Sequence, residues 1–198
     1  MPKDTFYNLS NEKKKRIFDA AVQEFSTRRF SEASLNQIVK AAKIPWGSFY
    51  QYFSGKEDIF QYMFEEILKE KREIILSAEA LDPDADVFEI CVQTIRATLE
   101  WSRAKPEYSK IGMLMEIDNS EFITGLRTAS LKSLRELIER DKERGLIKPD
   151  VDSDLVADMI YTLIWKQYSL TGLDEDKFFK RINDGIKIIR EGIAVSKD

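Results

Sequence analysis

Apolar side chains recur at helical spacing along nearly all of this 198-residue chain. Ile17, Ala21, Val22 and Phe25 form the first stripe, on a helix expected over residues 11–28 with Ser10 placed to cap it. Residues 1–9 read as a loose arm. Leu35, Ile38, Val39 and Ala42 form the second stripe, behind the capping hydroxyl of Ser34. Pro45 ends that helix, because the residue before a proline is pushed out of the α region, and it can open the next one. Phe49 and Phe53, four apart, anchor one side of this third helix.

A longer rhythm follows from Lys56, through Ile59, Phe60, Met63, Phe64, Ile67, Ile74 and Ile75, and predicts one helix over residues 56–81. The polar run Asp82-Pro83-Asp84-Ala85-Asp86 breaks it. Further helices are expected over 85–103, from Pro106 through Ile117, over 121–144 with a stop at Gly145, over 153–170 with a break at Gly172, and from Asp174 to the end. No strand pattern appears. The expected fold is all-α, about nine helices, with a boundary between residues 1–56 and 57–198.

Two short helices joined by a turn of a few residues, over 34–53, make a helix-turn-helix, which lays its second helix in the DNA major groove. The chemistry of that helix suits the task. Trp46, Ser48 and Gln51 are placed to read base edges, and Tyr50, Tyr52 and Lys56 to hold phosphates; packing of Tyr50 into the core stays open as an alternative. Gly47 permits close approach of another backbone. Lys56 opens the next helix, where its charge joins the free N–H groups.

The run from Ile44 through Ile59, with its Tyr-x-Tyr-Phe-x-x-Lys element, closely resembles the signature of TetR-family transcriptional regulators, and residues 17–25 look like that family's first helix. The specific match covers residues 13–64, about a quarter of the chain. Two positions depart from the pattern. Lys43 stands where glycine is common in the turn, and at positive φ it costs about 1 kcal/mol. Pro45 stands where serine or threonine is common. The resemblance implies a DNA-binding head of three helices and a helical body that binds a small effector and dimerises. It also implies release of a palindromic operator when the effector binds, and DNA contact by Ser34 and Gln37.

Charge agrees with that division. Ten Lys and Arg stand against five Asp and Glu up to Lys56, and 21 against 30 beyond it. A basic head on an acidic body suits a polyanion at one end only. Lys13, Lys14, Lys15 and Arg16 open the first long helix against its dipole, which attraction by DNA would explain, with a plain solvated face as the alternative. The absence of histidine removes the usual zinc ligand and the commonest general base. No catalytic triad, phosphate loop or metal spacing is present, so neither an enzyme, a metal nor a cofactor is expected. Cys91, the lone cysteine, reads as a buried inert thiol. No apolar run is long enough to span a membrane and no secretory signal is seen, so a cytoplasmic site is expected.

In the body, Trp101, Tyr108, Met113, Met115, Phe122 and Tyr168 are candidates to line the apolar effector pocket that the resemblance implies, with ordinary core packing of each the favoured alternative. Acidic residues there would favour a cation, and lysines or arginines an acyl carboxylate or a phosphate. Leu163, Ile164, Ile186, Ile189 and Ile193 give the last two helices more apolar width than one core stripe needs, which suggests a homodimer. The competing reading is an all-helical ligand-binding or scaffold protein with no specific DNA binding.

Overall fold

The computed structural model describes residues 1–77, 82, 84–171 and 174–193. These form α1 (Asp4–Tyr7), α2 (Asn11–Phe25), α3 (Leu35–Ala41), α4 (Trp46–Tyr52), α5 (Lys56–Ser77), α6 (Val87–Ala104), α7 (Pro106–Glu116), α8 (Glu121–Ser130), α9 (Lys132–Glu143), α10 (Ser153–Thr171) and α11 (Glu175–Ile193). The fold is all-α, with no strand among the described residues. The expected helix end at 81 and the breaks at Pro83 and Gly172 lie outside the described residues.

Two expectations change. The N-terminal arm is not loose: it carries α1, and Phe6 is buried at 1% exposure. The single helix over 121–144 is two, interrupted at Leu131, which keeps helical dihedrals and sinks into the core. The apolar register shifts there without a glycine or proline to announce it.

The chain divides into two compact units, residues 1–74 with 104–125, and residues 75–103 with 126–198. In the first, α5 is the common wall for two groups of rings. Phe6 lies 4.8 Å from Tyr62 and 5.0 Å from Phe53, and Phe53 lies 5.5 Å from Phe49. Further along, Phe60 meets Phe25, Phe30 and Phe122 at 4.8, 5.3 and 5.8 Å between centroids. Such tilted and edge-on pairs add about 0.5–1.5 kcal/mol each beyond their area.

The second unit packs α6, α9, α10 and α11 around Val87, Ile138, Ile160, Ile182 and Ile186, all buried. Its polar centre is Asp141, 0% exposed. The Asp141 carboxylate accepts from the Val87 N–H at 2.6 Å, Arg140 Nε at 2.9 Å and Arg144 Nη1 at 3.0 Å. The same arginines donate to the carbonyls of Ala85 and Asp84 at 2.8 and 2.7 Å, tying the segment before α6 to the end of α9. Asp86 then caps α6, accepting from Phe88 and Glu89 while its own N–H donates to Glu89 Oε2. Gly145, at φ 69°, closes α9 with the two backbone bonds of a Schellman turn. Burial, with Asp86 adding to it, pushes the Cys91 thiol up to about 12, so it stays protonated and unreactive at neutral pH.

Asp141→Ala would strand two arginines and a buried N–H. A loss of about 3–5 kcal/mol is expected in chemical denaturation, with Asp141→Asn recovering part of it.

Candidate nucleic-acid interface

The turn between α3 and α4 is built as a helix stop. Lys43 sits at φ 52°, its N–H donates to the Lys40 carbonyl at 3.2 Å, and the Ile44 N–H donates to Val39 at 3.3 Å. This is a Schellman turn with lysine at the position glycine favours. Pro45 follows as the N-cap of α4 in extended conformation, and it supplies no side-chain cap. Ser34 is the N-cap of α3, but its hydroxyl caps nothing; its backbone N–H instead donates to Glu24 Oε1 at 2.8 Å.

The inner face of α4 is Phe49 and Tyr52, with Phe53 following at 0% exposure. The outer face carries Trp46, Gly47, Tyr50 and Gln51, all exposed, with Ser48 half-exposed. Trp46 and Tyr50 stand 5.6 Å apart, edge to face, and are 42% and 47% exposed. Leaving two large rings in water is unfavourable, and here they sit on the face the sequence assigns to base reading. Tyr50 therefore points outward, not into the core. Gln37, Lys40 and Lys43 are exposed on α3 and the turn. Lys40 was not among the residues singled out from sequence, although a basic residue in the last turn of the first motif helix was there to be read.

Two expected phosphate contacts are turned inward. Tyr52 is 6% exposed, and its hydroxyl accepts from Lys13 Nζ at 3.0 Å. Lys56 Nζ lies 4.7 Å from the Phe30 ring centre and donates to the carbonyls of Ala33 at 3.1 Å and Ser31 at 3.4 Å. Both residues are thus held by protein groups: Tyr52 positions Lys13, and Lys56 fixes the connector before α3. The basic opening of α2 is likewise only partly free. Lys14 donates to the Tyr7 carbonyl at 2.7 Å and Lys15 pairs with Asp19 at 2.8 Å.

The end of α4 is held by α1 and its flanks. The last carbonyls of a helix have no partner within it. Here Tyr52 O accepts from the Lys3 N–H at 2.8 Å, Tyr50 O accepts from Lys3 Nζ at 2.8 Å, and Gln51 O accepts from the Thr5 hydroxyl. The arm therefore braces α4 from behind, leaving its outer face clear.

A second tie holds the connector between α2 and α3. Asp118, 1% exposed, accepts from the Ser31 N–H at 2.7 Å and the Ser120 N–H at 2.9 Å. Burial opposes its charge, yet those N–H groups outweigh burial and bring the carboxyl down to about 2. Phe30 packs on Phe122 beside it, with ring centres 4.7 Å apart and the planes tilted by 35°. The link between α7 and α8 thus touches the connector that leads into the helix-turn-helix.

The six effector-pocket candidates are not in one unit. Tyr108, Met113, Met115 and Phe122 belong to the first, and Trp101 and Tyr168 to the second. Met115 is buried and Phe122 is committed to the Phe30–Phe60 cluster. Among the dimer candidates, Ile186 and Ile189 are buried in the core of the second unit, with Leu163, Ile164 and Ile193 packed partly buried against it. The exposed apolar set on α10 and α11 is Leu155, Met159, Leu170 and Ile188. Met159, Leu163, Gly185, Ile188 and Ile189 line a groove of about 510 Å³ rimmed by Asp158 and Lys166. A Cβ on Gly185 would come within 2.8 Å of Leu163, so glycine permits the close crossing of α10 and α11.

Residues 17–63 match the family model of bacterial regulatory proteins, tetR family. Two Bacillus subtilis (strain 168) proteins, the HTH-type transcriptional regulators YdgC and YhgD, are each 26% identical over 83% and 75% of this chain and 85% and 78% of their own. Among solved structures, a TetR family transcriptional regulator from Chloroflexus aurantiacus aligns with a TM-score of 0.71 at 23% identity, covering 99% of this chain and 100% of that one. The transcriptional regulator FadR from Bacillus subtilis, in complex with stearoyl-CoA, aligns at 0.68 and 20% identity, over 91% of this chain and 99% of that one. These likenesses show that the fold is shared.

Relief of the positive φ makes Lys43→Gly stabilising by about 1 kcal/mol in thermal or chemical unfolding. Asp118 has a folded pKa below its ordinary value, so its contribution is present above about pH 4 and is lost as pH falls toward 2. Asp118→Asn should therefore be less stable than the parent at pH 6, by on the order of 2 kcal/mol, with the two melting curves converging near pH 2.

Proposed function

Because the chain belongs to the TetR family of bacterial regulatory proteins, a family of DNA-binding transcriptional regulators, we propose that it is a homodimeric repressor released from a palindromic operator by a small effector. The observation that carries this reading is the outer face of α4: Trp46, Gly47, Tyr50 and Gln51 exposed beside Gln37, Lys40 and Lys43, on a helix whose other side and whose end are fully occupied. In this reading residues 1–56 bind DNA and residues 57–198 bind the effector and pair two subunits. Trp46, Ser48 and Gln51 meet base edges, while Ser34, Gln37, Tyr50 and Gly47 lie against the backbone. Tyr52 and Lys56 act by holding Lys13 and the connector in place.

A second copy of the chain is the proposed occupant of the groove on α10 and α11. Asp158 and Lys166 lie eight residues apart on α10 with Thr162 midway, so a two-fold axis near Thr162 sets Asp158 of one subunit toward Lys166 of the other. The exposed Met159 and Ile188 would be covered in the same step. The effector is proposed to be largely apolar, a reading supported by the FadR neighbour, whose structure holds stearoyl-CoA. The tie from Asp118 to Ser31 is the proposed route by which the body moves the head.

Gel shifts on the DNA beside the gene, across a salt series, test the central part. Specific binding should persist at salt concentrations that abolish binding to random DNA. Gln51→Ala is expected to change sequence preference by about 1–3 kcal/mol at one position of each half-site, whereas Lys13→Ala weakens all sites alike. Binding indistinguishable from that to random DNA would favour the ligand-binding or scaffold alternative. In sedimentation, Ile188→Glu should shift the protein from dimer to monomer.

A further inference from the structure

Up to Lys56 the chain carries ten lysines and arginines, and eight of them are engaged by the protein itself. Lys15, Arg16, Arg28 and Arg29 each face a carboxylate three or four residues away. Lys3, Lys13, Lys14 and Lys56 donate to backbone carbonyls or to the Tyr52 hydroxyl. The other two are Lys40 and Lys43. Both are exposed, and neither ammonium meets a partner among the described residues. The local sequence offers them none, since residues 33–56 contain no aspartate or glutamate.

The two free cations are neighbours. The Lys43 N–H donates to the Lys40 carbonyl at 3.2 Å, within the turn that ends α3. Gln37, Lys40, Lys43 and Trp46 follow at intervals of three, and all four are exposed. Lys40 has an internal reason for its charge, because a cation in the last turn of a helix is favoured by the dipole. Lys43 has no such return. At φ 52° a residue with a Cβ is strained, whereas glycine would hold the same turn without strain. Its side chain is neither buried nor bonded, so nothing inside the protein offsets that strain. A strained backbone without internal compensation points to a function outside the fold.

We propose that Lys40 and Lys43 clamp a DNA phosphate at the turn, and that the strain at Lys43 is retained for this contact. The proposal rests on the DNA-binding reading of α4 and adds to it a contact that carries no sequence information. Two unpaired ammoniums meeting a phosphate displace condensed counterions, so the contact is written in the salt dependence of binding.

Fluorescence anisotropy of the full-length protein tests this on two duplexes, the DNA beside the gene and a random sequence, each over a salt series. The parent is compared with Lys43→Gly, Lys43→Asn, Lys43→Arg and Lys40→Ala, and with Lys180→Ala as the same loss of charge on α11. Lys43→Gly, Lys43→Asn and Lys40→Ala should each lower the slope of log affinity against log salt by about 0.9 per bound subunit. They should weaken both duplexes by the same factor. Lys43→Arg should keep the parent slope, and Lys180→Ala should change nothing. Lys43→Gly should lose affinity while melting above the parent, which separates the contact from the fold. An unchanged slope in Lys43→Gly and Lys43→Asn, or an equal fall in Lys180→Ala, would overturn the clamp. Weakening confined to the duplex beside the gene would assign a base contact and overturn it too. A parent that binds both duplexes equally, with the slope still dependent on Lys43, would overturn specific recognition and uphold the clamp. A parent that binds neither duplex would overturn both.

Discussion

The packing of Phe6 against Phe53 and Tyr62 is the contact on which α4 depends. α4 has seven residues, too few to be stable alone, since a helix of that length forms barely more bonds than its nucleation requires. Its persistence comes from Phe49, Tyr52 and Phe53 buried on one side, and from Lys3 and Thr5 bonded to its last carbonyls. α1, a single turn with one buried side chain, and the preceding Lys3 supply the second support, and Phe6 of α1 shares in the first. A rigid back is what lets the front of α4 remain polar, aromatic and exposed.

The same economy explains why Tyr52 and Lys56 look inward. The connector before α3 has no regular structure, and its carbonyls and N–H groups need partners. Lys56 supplies the donor and Asp118 the acceptor, so one short segment is gripped from α5 and from the link between α7 and α8. Of the pair that seemed poised for phosphates, Lys56 grips the connector and Tyr52 holds Lys13. Asp118 meets Ser31 directly, through a bond of 2.7 Å to a backbone N–H.

Much of this was legible in the residue order. Apolar period placed α2, α3, α4 and α5, Ser10 caps α2 by accepting from Lys13, and Lys43 was readable as a strained turn residue before its φ of 52° was seen. What stayed hidden was set by distant contacts. α1 is too short to show a period, so its clamp on α4 was invisible. The inward turn of Tyr52 follows from Phe6, 46 residues earlier in the chain, and that of Lys56 from carbonyls of the connector. Ile186 and Ile189 carried the apolar width of α11 in sequence, yet they face the core, and the exposed apolar residue between them is Ile188.

Amide hydrogen exchange of residues 46–52 in the full-length protein, compared between the parent and Phe6→Ala, tests the role of this contact most directly. Slow exchange across α4 is expected in the parent, and exchange near that of an unfolded segment in Phe6→Ala, with specific operator affinity lost and α9 to α11 unchanged. Protection of α4 and operator affinity both preserved in Phe6→Ala would contradict the claim that the reading helix is held from behind.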